Sequence, residues 1–143
     1  MSSIHPSPLL RRALIADASG SLVLAVAQLA AAGALAAVLG LPASLLLGTG
    51  IFLMVYALLL ITVANSSRVA RALVLLIVIG NVGWGIGCAE LLLSDMVQVT
   101  PTGSMFLVAQ MIFVLTFSAL EYRGLRQSRP AAAPGTPMTA ATS

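Results

Sequence analysis

Residues 72–93 read ALVLLIVIGNVGWGIGCAELLL, an apolar run holding one carboxylate, Glu90, and no basic group. A bilayer core of about 30 Å is crossed by about 20 apolar residues of helix, so this run reads as a transmembrane span. At about 100° per residue, Gly80, Gly83, Gly87, Glu90 and Ser94 share one stripe. Asn81, Trp84 and Cys88 lie beside it, and Leu75, Ile79, Val82, Ile86 and Leu93 lie opposite. One face suits lipid and the other suits protein. Gly83 and Gly87 form a GxxxG pair that lets a second backbone approach. Gly80, Gly83 and Gly87 are therefore read as helix-packing positions. The expected partner is the small-residue stripe Ala27, Ala30, Ala34 and Ala37 of the first span.

Three further runs of this kind flank it: residues 18–39, 42–64 and 102–122. Gly40-Leu41-Pro42 ends one helix and opens the next, because Pro suits a first helical turn. Asn65-Ser66-Ser67-Arg68 is a polar turn, and Thr100-Pro101 reads as an N-cap with Pro at the first helical position. The short connections predict an all-α, up-down-up-down bundle of four transmembrane helices with sequential helices as neighbours. The first span exceeds the roughly 7–15 apolar residues of a cleaved signal, so it is read as retained.

Composition agrees. The 143 residues are 59% hydrophobic and 8% charged, with mean hydropathy +1.07. A soluble domain carries about 25% charged residues, so the surface must face something apolar. The net charge is +3, yet there is no lysine and no basic stripe of the kind that reads nucleic acid. The arginines fall before the first span (Arg11, Arg12), between the second and third (Arg68, Arg71), and after the fourth (Arg123, Arg126, Arg129). Four antiparallel spans bring all three places to one side, while Asp95 lies in a loop on the other. The positive-inside rule makes that side, and both termini, cytoplasmic in a bacterial inner membrane. Residues 1–17 form a cytoplasmic segment, either a short amphipathic helix on the inner leaflet or a solvated leader. Residues 127–143, rich in Pro, Ala and Thr, are expected to be disordered.

Few residues carry chemistry. The single cysteine, Cys88, excludes dithiol exchange and reads as a packing residue. The single histidine, His5, lies in the tail, which excludes paired-histidine haem ligation, and no cofactor or metal is expected. Each span holds one sizeable polar group, Gln28, Tyr56, Asn81 and Gln110, all about 13 to 17 Å from the inner end at 1.5 Å per residue. They should face one another as a midplane layer, read first as interhelical glue and alternatively as a binding site. The indole of Trp84 needs an acceptor, with Gln28 and Gln110 in reach, or else the ring fills space above the glycines. Glu90 is read as the carboxylate clearly inside a span, close to the outer surface, either a functional acid or one that reaches the outer headgroups and is solvated. Glu121 is read as facing Arg123 or Arg126 at the interface. Phe106, Phe113 and Phe117 make a packing seam. No nucleophile–base pair, metal cluster or carboxylate dyad is evident, so enzymatic activity is not expected.

Leu41-Pro42-Ala43, Arg68 with Arg71, Gly80-Asn81 with Trp84, and Gln110 with Gly124-Leu125-Arg126 give the chain a resemblance over residues 18–126. It resembles a loose group of small bacterial inner-membrane proteins with four spans and no assigned activity. The resemblance implies a fold and a location, and no function. Small multidrug-resistance transporters carry a glutamate within the first span, where this chain has no acid deeper than Asp17. Fluoride channels carry their Thr-rich phenylalanine motif in the third span, whereas Thr116-Phe117-Ser118 lies in the fourth. The leading expectation is a structural or accessory membrane protein acting as a homo-oligomer or with a membrane-protein partner. The alternative is a small transporter or channel using the polar layer.

Overall fold

The computed structural model describes residues 3–94 and 97–131. Four helices dominate: α1 (Pro8–Leu39), α2 (Ala43–Asn65), α3 (Arg71–Leu93) and α4 (Pro101–Gln127). Each is long and apolar enough to cross a membrane. Their ends follow local chemistry. Ser7 caps α1 by accepting from Leu10 N at 3.2 Å, with Pro8 in the first turn. Gly40 ends α1 in the left-handed conformation at φ 69°, which favours glycine. Thr100 caps α4 by accepting from Gly103 N at 3.0 Å.

Helix α1 starts ten residues before the apolar run does. Residues 8–17 therefore belong to the first helix, and Leu10 and Leu14 are wholly buried. They do not form a separate interfacial helix. Similarly, α4 continues past Tyr122 to Gln127. Asp95 and residues 132–143, where most of the expected disordered tail falls, lie outside the described residues.

Helix α1 packs on α2 and α4, and α4 packs on α3. Consecutive helices α2 and α3 are not close backbone neighbours, contrary to the expectation from short loops. They meet through side chains instead. The Phe52 ring lies parallel to Trp84 at 5.6 Å and to Tyr56 at 6.1 Å. Closest approach belongs to α1 and α4. A Cβ at Gly124 would sit 2.6 Å from Leu10 N, and one at Gly103 would collide with the Leu39 carbonyl. Gly20 faces the Phe113 ring.

Within the described chain, the glycines singled out in α3 pack against no other helix. Among the described residues, a Cβ at Gly80, Gly83 or Gly87 would meet nothing within 4 Å. Ala27, Ala30, Ala34 and Ala37 are exposed as well. The two stripes do not meet, because α1 and α3 are not close backbone neighbours and each packs on α4. The α3 glycine against a neighbour is Gly85, at ordinary contact with Val114 and Leu115 of α4.

One end of the bundle is closed by three short strands. β1 (Ser3–His5) lies between β2 (Val69–Ala70) and β3 (Arg129–Pro130), antiparallel to both. This clip gathers the N-terminal segment, the α2–α3 connection and the segment after α4, so the arginine clusters share one end. His5 Nδ1 donates to Ser67 O at 2.9 Å. Arg11 donates to Ala64 O at 2.7 Å and Ser66 O at 2.8 Å, satisfying the last carbonyls of α2. Above the clip, Ile4, Leu10, Leu14, Leu60, Val63, Val69, Val74 and Leu125 form an apolar plug.

Candidate functional site

Above that plug each helix contributes one polar side chain to a common cluster: Asp17 from α1, Tyr56 from α2, Asn81 from α3 and Glu121 from α4. Asp17 and Glu121 are each 0% exposed, and Asn81 is 3% exposed. Asn81 Nδ2 donates to Asp17 Oδ2 at 3.0 Å and to Glu121 Oε2 at 3.1 Å, so one amide bridges two carboxyls. Sharing one amide donor holds the two carboxyls side by side. The Tyr56 hydroxyl stands 2.9 Å from Asn81 Oδ1 and 3.2 Å from Asp17 Oδ2. Ser21, one turn beyond Asp17, donates to Asp17 Oδ1 at 3.2 Å. Among the described residues, Glu121 Oε1 is buried without a hydrogen-bond partner.

Periodicity places these groups. The buried positions of α1 include Leu10, Leu14, Asp17, Ser21, Ala25, Gln28 and Ala32, a stripe at three- and four-residue spacing. Those of α4 include Gly103, Leu107, Val114, Ser118, Glu121 and Leu125. The acids therefore lie on the inward stripes of their helices. Helix length sets their depth. At 1.5 Å per residue, Asp17 is about 13 Å from the start of α1 and Glu121 about 9 Å from the end of α4.

This corrects the reading of Glu121. It faces Asn81 and Asp17, while Arg123 and Arg126 are exposed. The two acids make the carboxylate pair that the sequence did not reveal. Their hydrogen-bond partners among the described residues are Ser21, Tyr56 and Asn81, and no arginine. Glu90, read as the one acid inside a span, is exposed near the far end of α3.

The four groups expected as one layer fall into three sets. Tyr56 and Asn81 join the acid cluster. Gln28 meets the Thr49 hydroxyl of α2 at 2.9 Å. Gln110 accepts from Trp84 Nε1 at 3.0 Å. The latter two sets sit farther from the clip, where Gln28, Thr49, Trp84 and Gln110 border a small internal cavity of about 50 Å³. Between α1 and α4 a cavity of about 210 Å³ is lined by Gly20, Ser21, Gln110 and Phe113, among others. From the acid pair, polar side chains thus lead away from the clip, and apolar ones lie toward it. Phe113 and Phe117 of the expected aromatic seam pack at 4.6 Å, and Cys88 is buried. Among the described residues no set of three His, Cys, Asp or Glu converges to hold a metal.

Comparison with known protein families, with curated proteins and with solved structures finds no match.

Proposed function

We propose that this chain is a multi-pass protein of the bacterial inner membrane, with both termini cytoplasmic, and that it is a small proton-binding transporter. Orientation rests on the arginine clusters gathered at the clip end. Function rests on one observation: two wholly buried carboxyls from different helices, bridged by Asn81, with no basic partner among the described residues. Burying such groups lowers stability relative to apolar side chains, and acids within a membrane bundle mark ion pathways. Two like charges this close in a dry site do not both ionise. Hydrogen counting supports the same reading. Asn81 Nδ2 spends both hydrogens on the carboxyls, and the single proton of Tyr56 serves either Asn81 Oδ1 or Asp17 Oδ2. Among the described residues Glu121 Oε1 is left with no donor, a poor setting for a second negative charge.

The surroundings fit a transport cycle. The apolar plug and strand clip close the path to the cytoplasm, and the polar steps through Ser21, Gln28, Thr49 and Gln110 face the other side. The test is proton flux in liposomes containing the purified chain and an internal pH dye. A pH gradient imposed with a monovalent cation on both sides dissipates through the wild type, and Asp17→Asn and Glu121→Gln slow the loss to the level of empty liposomes. Wild-type flux equal to that of empty liposomes would refute transport.

A structural or accessory role is the second reading, favoured by Gly83 and Gly87. They border a lateral cavity of about 420 Å³ with Leu45, Thr49, Trp84 and Leu91, leaving room for a partner helix. Crosslinking from a cysteine at Gly83 in a Cys88→Ala background distinguishes a partnered face from a lipid-covered one.

A further inference from the structure

We propose that the Asp17–Glu121 pair exchanges a proton for one dehydrated monovalent cation of the sodium class, seated against Asp17 Oδ1, Ser21 Oγ and Glu121 Oε1. This rests on the proton-binding reading above and names the second ion. The oxygens are not equivalent. Asn81 Nδ2 covers Asp17 Oδ2 and Glu121 Oε2, and its hydrogens repel a cation there. Asp17 Oδ1 has a hydroxyl partner, Ser21, whose own oxygen can turn to a cation. Glu121 Oε1, wholly buried, has no hydrogen-bond partner. Asp17 Oδ1 and Glu121 Oε1 are thus the two carboxyl oxygens left clear of the amide.

Ser21 also lines the cavity between α1 and α4, so the hydroxyl that touches Asp17 Oδ1 stands at the edge of open space. Charge selects the class of ion. With one shared proton, the pair keeps one negative charge in a dry site, which a second proton or one monovalent cation neutralises. A divalent ion leaves an excess positive charge, and calcium takes six or more oxygens while magnesium holds its water. The facing groups are Asp17 from α1, Tyr56 from α2, neutral Asn81 from α3 and Glu121 from α4. Arg11, toward the clip, is engaged by the α2 carbonyls. Exchange is electroneutral: the cation enters as the second proton leaves, and no bond other than O–H is broken.

The test uses the full chain in nanodiscs of neutral lipid, weakly buffered, with a pH dye. Sodium chloride is compared with N-methylglucamine chloride at equal ionic strength, and the protonated-carboxyl infrared band is recorded in parallel. Sodium is expected to release protons saturably, approaching one per chain. Ser21→Ala, which keeps both carboxyls, should raise the half-saturating sodium concentration roughly tenfold, the loss of one good oxygen ligand. Glu121→Gln should abolish release. A carboxyl band that Asp17→Asn removes, together with no release by sodium, lithium or potassium, overturns cation exchange and leaves proton binding intact. Release unchanged by Ser21→Ala and Glu121→Gln also overturns it, because the ion then binds elsewhere. Absence of both band and release removes both readings.

Discussion

Asn81 is the residue on which the cluster depends, because its amide is the donor shared by two carboxyls. Asn81→Leu should destabilise the bundle by about 3 kcal/mol or more, since it leaves buried acids unpartnered. Glu121→Gln keeps the shape and removes a like charge, so its cost should be within about 1 kcal/mol. Equilibrium unfolding in mixed micelles measures both, and a more damaging Glu121→Gln would contradict the arrangement. Trp84, the single tryptophan, reports on the next group outward. Gln110→Leu removes its hydrogen-bond acceptor and should shift its emission to the blue, whereas Gln28→Leu should leave emission unchanged. Tyr56, Asn81, Gln28 and Gln110 were legible in the sequence because a polar group in an apolar run needs an explanation. Asp17 and Glu121 were not, because each stands near an arginine cluster where an interfacial acid is ordinary. The available signal was their phase: both fall on stripes of small and polar residues at three- and four-residue spacing.

Hydropathy located the four helices within a few residues, since it measures the property that defines a span. It placed the start of α1 too late, because residues 8–17 are helical and buried without being uniformly apolar. Nor could it say which small-residue stripe faces which neighbour. The GxxxG pair drew attention to α3, yet the tight contacts are at Gly103 and Gly124 of α4. Gly124→Ala and Gly103→Ala should each cost about 1–3 kcal/mol, because the new methyl meets α1 backbone that cannot yield. Gly83→Ala and Gly87→Ala should fold normally and gain a few tenths of a kcal/mol from helix propensity. Thermal unfolding of the four variants in one detergent separates the two groups, and the reverse order would mean that α3, not α4, packs on α1.

Across the whole molecule, the clip and the apolar plug make the two ends unequal. Deleting residues 1–6 should speed hydrogen exchange at the first turns of α1 and lower the unfolding temperature, while leaving exchange near Thr100 unchanged. Equal acceleration at both ends would mean that β1 contributes no local closure. Sequence reading gathered the arginines at one end from span parity alone, but it could not foresee the clip, whose strands are too short to carry a pattern. Its topology has a consequence for biosynthesis. The central strand, Ser3–His5, is among the first residues to leave the ribosome. One flanking strand follows α2, and the other is completed only after α4. A chain halted before Arg129 therefore presents an unpaired strand edge. Closure of this end waits until β3 has been made, so the proposed proton path cannot be sealed in an unfinished chain.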